Sequence, residues 1–343
     1  MSGLLPNRLY SGPRGRRLLL EIACARNPQL EELMYANLLS RLDSNGESRV
    51  IVELARSTAL LEQFPPTQYE LLCALQETAS RAMYWQAPDP EDQLFATPRM
   101  ATALKTVAEV VAQHAPTWWT APMANEQFRV QSVPGPSLEQ HEAWQAGAGV
   151  RKWYTQTVQD EIAAQSNIPD PSANYTGSWW STPAHFSIPT TTRMLGELGP
   201  VGLWAQEDSA TSKDAVAYPV MLIGASRILE INSAHDYARL VEAFPLRVTW
   251  SRYHDWYRAS GAVDEWFIPH WGLIAKEYEG VHLTTAAYLE GATKRIPIAG
   301  GSTMIAGWSP DSTIWTGNCA VLGGSPTQWT LAQDGSREYW LAA

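Results

Sequence analysis

The sequence predicts an α+β protein: a helical N-terminal half packed on a C-terminal half with a small, mostly antiparallel sheet. Three observations carry that prediction. Up to about residue 162, apolar residues recur at helical spacing behind recognisable caps. From residue 178 onward, short β-prone runs alternate with turn residues. Between the two, Asn167 to Gly177 (NIPDPSANYTG) is rich in proline and asparagine and has no periodicity. This places a helical domain at 1–166, a linker at 167–177 and a mixed α/β domain at 178–343.

Residues 11–17 (SGPRGRR) read as a turn-prone loop, and Leu18 to Ala23 as a short strand or the start of a helix. Asn27 caps and Pro28 opens a helix with Leu30, Leu33, Met34, Leu38 and Leu42 on its apolar face, closed by a turn at Asn45-Gly46. A second helix covers about Ser48 to Leu61. Thr67 and Glu70 form a capping box before Leu71, Leu72, Leu75 and Ala79. Thr97-Pro98 opens another helix with Leu104, Val107, Val110 and Val111 on one face. Trp118-Trp119 reads as a strand or an anchoring loop, and Ser137-x-x-Gln140 starts the last helix of this half.

Beyond the linker, Ser178 to Thr182 (SWWST) and Leu203 to Ala205 look extended. Ala217 to Ile223 and Ser226 to Ile231 read as strands of a hairpin around Gly224-Ala225. Ser233 caps a helix, Leu246 to Ser251 is a strand, and His270 to Tyr278 is a short helix. Val281 to Thr284 is a strand, and 302–308 and 313–316 read as a strand pair around Ser309-Pro310-Asp311-Ser312.

Composition narrows the function classes. The 343 residues carry a formal net charge of −10, which argues against a general nucleic-acid binder. The apolar runs are too short to cross a bilayer, so no membrane partner is expected. Leu18-Leu19-Leu20 is cut at once by Glu21, a poor signal peptide. The three cysteines lack metal-ligand spacing; with these, the expectation is a cytoplasmic protein without a metal. Tryptophan is abundant, 16 residues, most of them after Pro171. They fill a core, or some line a groove for sugars, bases or a nicotinamide ring.

No phosphate-binding loop, dinucleotide fingerprint, H-E-x-x-H or G-x-S-x-G motif occurs. Polar candidates gather where titratable groups lie among aromatic residues. His254 and Asp255, in SRYHDWYR beside Arg252 and Arg258, offer an imidazole near a carboxylate, while His270 and His282 read as ordinary hydrogen-bonding residues. Asp311 reads as a turn cap. Arg14 and Arg16, beside Gly12 and Gly15, form an anion-binding loop or a solvated basic loop.

The order of three short motifs gives the sharpest expectation. An arginine at 14, 16 or 17, then Ser181-Thr182-Pro183, then Glu277-Tyr278-Glu279 resembles the arginine, Ser-Thr-Ser and Glu-x-Glu order of mono-ADP-ribosyltransferases. The resemblance implies an NAD-using ADP-ribosyltransferase or NAD glycohydrolase. In it Glu279 would be the catalytic carboxylate, with Glu277 its partner and Ser181 the strand serine. Arg14 and Arg16 would hold the NAD phosphates. Trp179, Trp180, Thr182, Arg252 and His254 would be ligand contacts. Pro183 departs from the third motif position, and the arginines lie a whole helical half upstream. WWSTP, HDWYR and GVHLT also resemble stretches of tryptophan-rich bacterial proteins to which no activity attaches. The alternative is a non-catalytic protein that grips a carbohydrate or a protein partner with exposed tryptophans.

Overall fold

The computed structural model describes residues 4–134, 146–166, 170, 177–183, 188–207, 212–223, 227–334 and 337–343. The N-terminal part runs α1 (Leu4–Ser11), α2 (Pro13–Arg26), α3 (Pro28–Leu39), α4 (Ser44–Gln63), α5 (Gln68–Ser80), α6 (Pro90–Ala96), α7 (Pro98–Ala103) and α8 (Lys105–His114). A 3₁₀ turn at Thr117–Trp119, strand β1 (Gln127–Val133) and helix α9 (Ala146–Gln165) follow. Local chemistry sets several of these boundaries. The Asn27 side chain accepts from Gln29 N–H behind Pro28, and Thr67 and Glu70 cap α5 reciprocally.

Two readings of this part are corrected. Asn45-Gly46 lies in the first turn of α4, because the Asp43 side chain accepts the Gly46 N–H and starts the helix there. Residues 11–17 are no loop. Pro13 starts α2, and Gly12 and Gly15 serve close packing rather than an anion. A Cβ on Gly12 would overlap the Leu289 carbonyl oxygen, and one on Gly15 the Leu9 carbonyl oxygen. The predicted start of a helix at 137–140 lies outside the described residues, as does most of the linker.

The C-terminal part runs β2 (Thr190–Thr192), α10 (Val201–Trp204), β3 (Asp214–Leu222), β4 (Ile228–Ile231), α11 (Ala234–Ala243), β5 (Pro245–Arg247) and α12 (Thr249–Ser260). It continues with β6 (Phe267–Pro269), α13 (Trp271–Glu277), β7 (Gly280–Leu283), α14 (Thr285–Gly291), β8 (Ile296–Ile298) and β9 (Gly301–Thr303). Strands β10 (Ser312–Trp315), β11 (Ala320–Leu322), β12 (Thr327–Asp334) and β13 (Arg337–Ala342) close the chain.

The protein is α+β, but its main sheet has nine strands rather than few, in the order β13-β12-β3-β1-β2-β10-β7-β4 with β11 also on β3. Its pairings are antiparallel except for β4 with β7. Strand β1, from the helical half, sits inside it between β3 and β2. One core cluster runs from Leu9 to Trp340, so the two halves share an interior. Among the described residues no tryptophan is exposed, and most are buried.

Several local readings fail because partner choice is not written in a strand's own pattern. The expected hairpin at 217–231 does not form: β3 lies deep in the sheet and β4 at its far edge. Likewise β9 pairs with β8, and β10 with β2 and β7, not with each other. Residues 201–204 are helix α10, and 178–182 form no strand. After Arg247 the chain turns into α12 instead of extending to Ser251. There Thr249, Arg252 and Trp256 bury one helical face, and Gly261, at φ 69°, ends it in a left-handed cap.

The α2–α14 contact yields a test. Gly12→Ala forces a methyl group into the α14 backbone, and overpacking of this kind costs about 1–3 kcal/mol. Urea denaturation should show that loss, and an unchanged midpoint would refute the close approach.

Candidate functional site

The sheet register builds the floor of a cavity. Phe128 stands opposite Thr192, and Thr192 opposite Ser312, while Thr190 stands opposite Ile314. Side chains alternate along a strand, so these residues share one face. They bound a cavity of about 250 Å³, walled by Trp180 and Thr182 on one side and by Glu207, Trp308 and Ser309 on another. Among the described residues the lining is thus aromatic plates, a row of hydroxyls, the Gln206 amide and one carboxyl group.

The wall at 177–183 has no strand partner, yet its backbone is pinned residue by residue. The Trp179 carbonyl accepts from Trp256 Nε1 (2.8 Å), the Trp180 carbonyl from the Arg252 guanidinium (2.9 Å), and the Ser181 carbonyl from Trp271 Nε1 (3.0 Å). Ser181 N–H donates to the Ala306 carbonyl (2.9 Å), and Ala306 N–H donates to Ser181 Oγ (3.0 Å). Thr182 Oγ1 donates to the Gly307 carbonyl (2.7 Å). These bonds fix Trp180, whose ring stacks on Trp179 at 4.2 Å, which in turn stacks on Tyr84 at 5.1 Å. Gly307, at φ 70°, lies against the Trp180 ring where a Cβ would collide with it. Burial lowers the Arg252 guanidinium to about 10, partly offset by Glu161, Asp160 and Asp255; it remains a cation at neutral pH.

Glu207 follows α10 and meets the loop 307–309. Its Oε1 accepts from the Tyr84 hydroxyl (2.9 Å) and its Oε2 from Trp308 N–H (3.1 Å), while its own N–H donates to Ser309 Oγ (3.2 Å). Among the described residues it has no ion-pair partner. Burial pushes its carboxyl up to about 7, although the hydroxyls of Tyr288 and Tyr84 and the N–H groups of Gly307 and Trp308 favour the ionised form. A carboxyl that titrates near neutrality on the wall of an aromatic cavity is suited to giving and taking protons.

The opposite face of the same strands carries a buried chain of alternating charge. Arg193 Nε donates to Asp311 Oδ1 (2.7 Å), His282 Nε2 lies 3.4 Å from Asp311 Oδ1, and His282 Nδ1 lies 2.6 Å from Glu230 Oε2. The chain links the end of β2 to β10, β7 and β4. It also ties down the approach to β1: Arg193 donates to the Pro122 carbonyl (2.8 Å), and Glu230 accepts Met123 N–H (3.0 Å). Asp311 sits at φ 51°, a left-handed position that aspartate tolerates. Asp311 is therefore a turn residue, as the sequence suggests, and a buried counter-ion as well.

The sequence-predicted residues divide into two groups. Trp180 and Thr182 line the cavity, and Trp179, Ser181 and Arg252 stand directly behind them. His254 sits nearby on α12, its Nε2 2.8 Å from the Asp170 carbonyl, and Asp255 accepts the Gly177 N–H (2.9 Å). Ser181 is fully buried and supports the wall from behind the cavity lining.

The remaining four lie elsewhere. Glu279 stands at the other end of β7, where its carboxylate accepts Arg227 N–H (2.6 Å), and Glu277 is exposed beside Arg227. Neither converges with Ser181, because β10 separates the Glu279 end, at Trp315, from the cavity end, at Ser312. Arg14 is buried and occupied by Asp92, Thr293 Oγ1 and the Thr78 carbonyl. Arg16 donates to the Tyr10 and Ser11 carbonyls. These two arginines pack the helical half and do not reach the cavity lining.

Sequence reasoning missed Glu207, Phe128, Thr190, Thr192, Trp308 and Ser312. The alternation of Ser312 and Ile314 was a usable signal for one face of a strand; nothing local marks Glu207. No protein-family model matches the chain, and no curated protein or solved structure matches it.

The ion chain gives a pH prediction. Burial disfavours the His282 cation, but the bonds to Asp311 and Glu230 outweigh this and raise it above its ordinary 6.5. Its stabilisation is therefore complete below about pH 6.5 and is lost as pH rises through the higher folded value. His282→Gln should destabilise the protein more at pH 6 than at pH 9 in paired urea titrations. An equal penalty at both would contradict a charged imidazole.

Proposed function

We propose that the sheet cavity is the active site of an enzyme that hydrolyses a glycosidic bond in a small, hydroxyl-rich substrate, a sugar glycoside or a nucleoside. The observation that carries this reading is the Glu207 carboxyl, poised near pH 7 on the wall of an aromatic and hydroxyl-lined cavity. At about 250 Å³ the space lies at or below the small end of ligand pockets, which suits one sugar or nucleoside unit. The described residues of the lining carry no lysine, arginine or histidine. Nothing there would meet the pyrophosphate of NAD, so the reading keeps the glycosidic chemistry suggested by the motif resemblance and moves it to an uncharged substrate. It also moves the catalytic glutamate from 279 to 207.

In this mechanism Glu207 gives its proton to the leaving nitrogen or oxygen as the bond to the anomeric carbon breaks. The resulting carboxylate then takes a proton from the attacking water, which restores the starting state. The Trp180 and Trp308 rings stabilise the developing ring cation through their π faces. Thr190, Thr192 and Ser312 hold the sugar hydroxyls.

The test is a panel of chromogenic glycosides and free nucleosides, with NAD included, assayed with the wild type and Glu207→Gln. Removing a general acid–base group costs about 10²–10⁴-fold, so the variant should lose at least about 100-fold in kcat while its circular dichroism stays unchanged. The wild-type rate should fall as pH rises through about 7, because the acid form starts the reaction. Turnover that survives in Glu207→Gln, or tight binding across the panel without any turnover, would overturn the proposal.

A further inference from the structure

On the reading of Glu207 as the acid and base of the cavity, we infer that Tyr288 is a positioning residue that works with Tyr84 to set when this carboxyl holds its proton. Two observations point to it. The Tyr84 hydroxyl lies 2.9 Å from Glu207 Oε1 and 3.0 Å from the Ile305 carbonyl oxygen. A phenol has one proton, so it can donate to only one of them at a time. The Tyr288 hydroxyl is fully buried and makes no hydrogen bond of ordinary geometry, yet the Glu207 charge bears on it more than any other.

These positions give the carboxyl two complementary settings. When Glu207 is ionised, Tyr84 donates to Oε1, Trp308 N–H donates to Oε2, and lone pairs remain to accept from the Tyr288 hydroxyl. When Glu207 is protonated, its own O–H donates to Tyr84 Oη, and the Tyr84 proton turns to the Ile305 carbonyl. A phenol donates more strongly to an ionised carboxylate than to a neutral acid, so Tyr288 favours the ionised form. A buried hydroxyl without a bond is costly, and the ionised Glu207 carboxylate is the strongest acceptor open to this one.

Neither phenol competes for the proton, since burial and Glu207 hold both well above the ordinary tyrosine range. The other charges facing the pair are Arg14 on α2, which acts on both rings, and Asp92 on α6, which acts on Tyr288. Arg14 and Asp92 are paired with each other. Helix α14 keeps the Tyr288 ring in place: Thr284 caps it, and Gly12 packs against its Leu289–Glu290 backbone.

The test follows the Glu207 carboxyl itself by ¹³C NMR in full-length protein labelled at glutamate, with Glu207→Gln assigning the resonance. A hydrogen bond to a charged group corresponds to about one pH unit or more. Tyr288→Phe should therefore raise the titration midpoint by about one unit, and Tyr84→Phe should raise it too. Placing 3-fluorotyrosine at position 288 makes a stronger donor and should lower it. Should Tyr288→Phe fail to fold, the fluorotyrosine protein, which keeps ring and hydroxyl, decides the matter. A midpoint that Tyr288→Phe leaves in place or lowers, or that fluorotyrosine raises, overturns the role of Tyr288. These shifts need no substrate: an unmoved midpoint beside an inactive Glu207→Gln discards the tyrosine alone. A moved midpoint beside a fully active Glu207→Gln discards only the hydrolase reading.

Discussion

A half-buried carboxyl, without a cation beside it among the described residues, constrains this structure more than any other single group. Placing an ionised carboxylate away from water is costly unless something replaces its hydration. Around Glu207 the replacement is neutral: the Tyr84 hydroxyl and the Trp308 N–H donate to it, with the Tyr288 hydroxyl and the Gly307 N–H beside them. Such a shell lowers the cost without locking the charge, and the result is a proton that can move near neutrality. A lysine or arginine at the same place would have made a permanent ion pair, as Asp311 has with Arg193.

Holding that shell together requires much of the fold. Tyr84 follows α5, Tyr288 comes from α14, and the N–H groups come from the loop before β10. The loop is held by Ser181 and Thr182, whose own segment hangs from side chains of α12 and α13. Across the sheet, the Arg193–Asp311–His282–Glu230 chain locks the four strands at one level. The two faces thus divide the work: one carries fixed charge that sets register, and the other carries hydroxyls and aromatic rings around an open space. Thr192 faces the cavity and Arg193 the ion chain only because neighbouring residues on a strand point opposite ways.

The sequence disclosed what depends on nearby residues and concealed what depends on distant ones. The Asn27 and Thr67 caps, the Ser233 cap of α11 and the strand at Val281 could be read because each is settled within a few positions. Partner choice could not, so β1 carries no local signal, and β3 and β4 read as a hairpin that they do not form. In α12 the aromatic residues look strand-like, and only the burial of Thr249, Arg252 and Trp256 at helical spacing shows otherwise. The site was half legible: Trp180 and Thr182 line the cavity with Ser181 and Arg252 behind them, while the Glu-x-Glu segment lies at the other end of β7. Glu279 was chosen from a short Glu-x-Glu pattern, whereas Glu207 gains its chemistry from burial, which no local pattern encodes.

Whether the sheet cavity takes a small hydroxyl-rich molecule is decided most directly by a crystal structure soaked with a cocktail of monosaccharides, methyl glycosides and nucleosides. Density for one of them is expected between Trp180 and Trp308, with a polar atom at hydrogen-bond distance from the Glu207 carboxyl. Density that gathers elsewhere on the molecule, with the sheet cavity left to water, would contradict it.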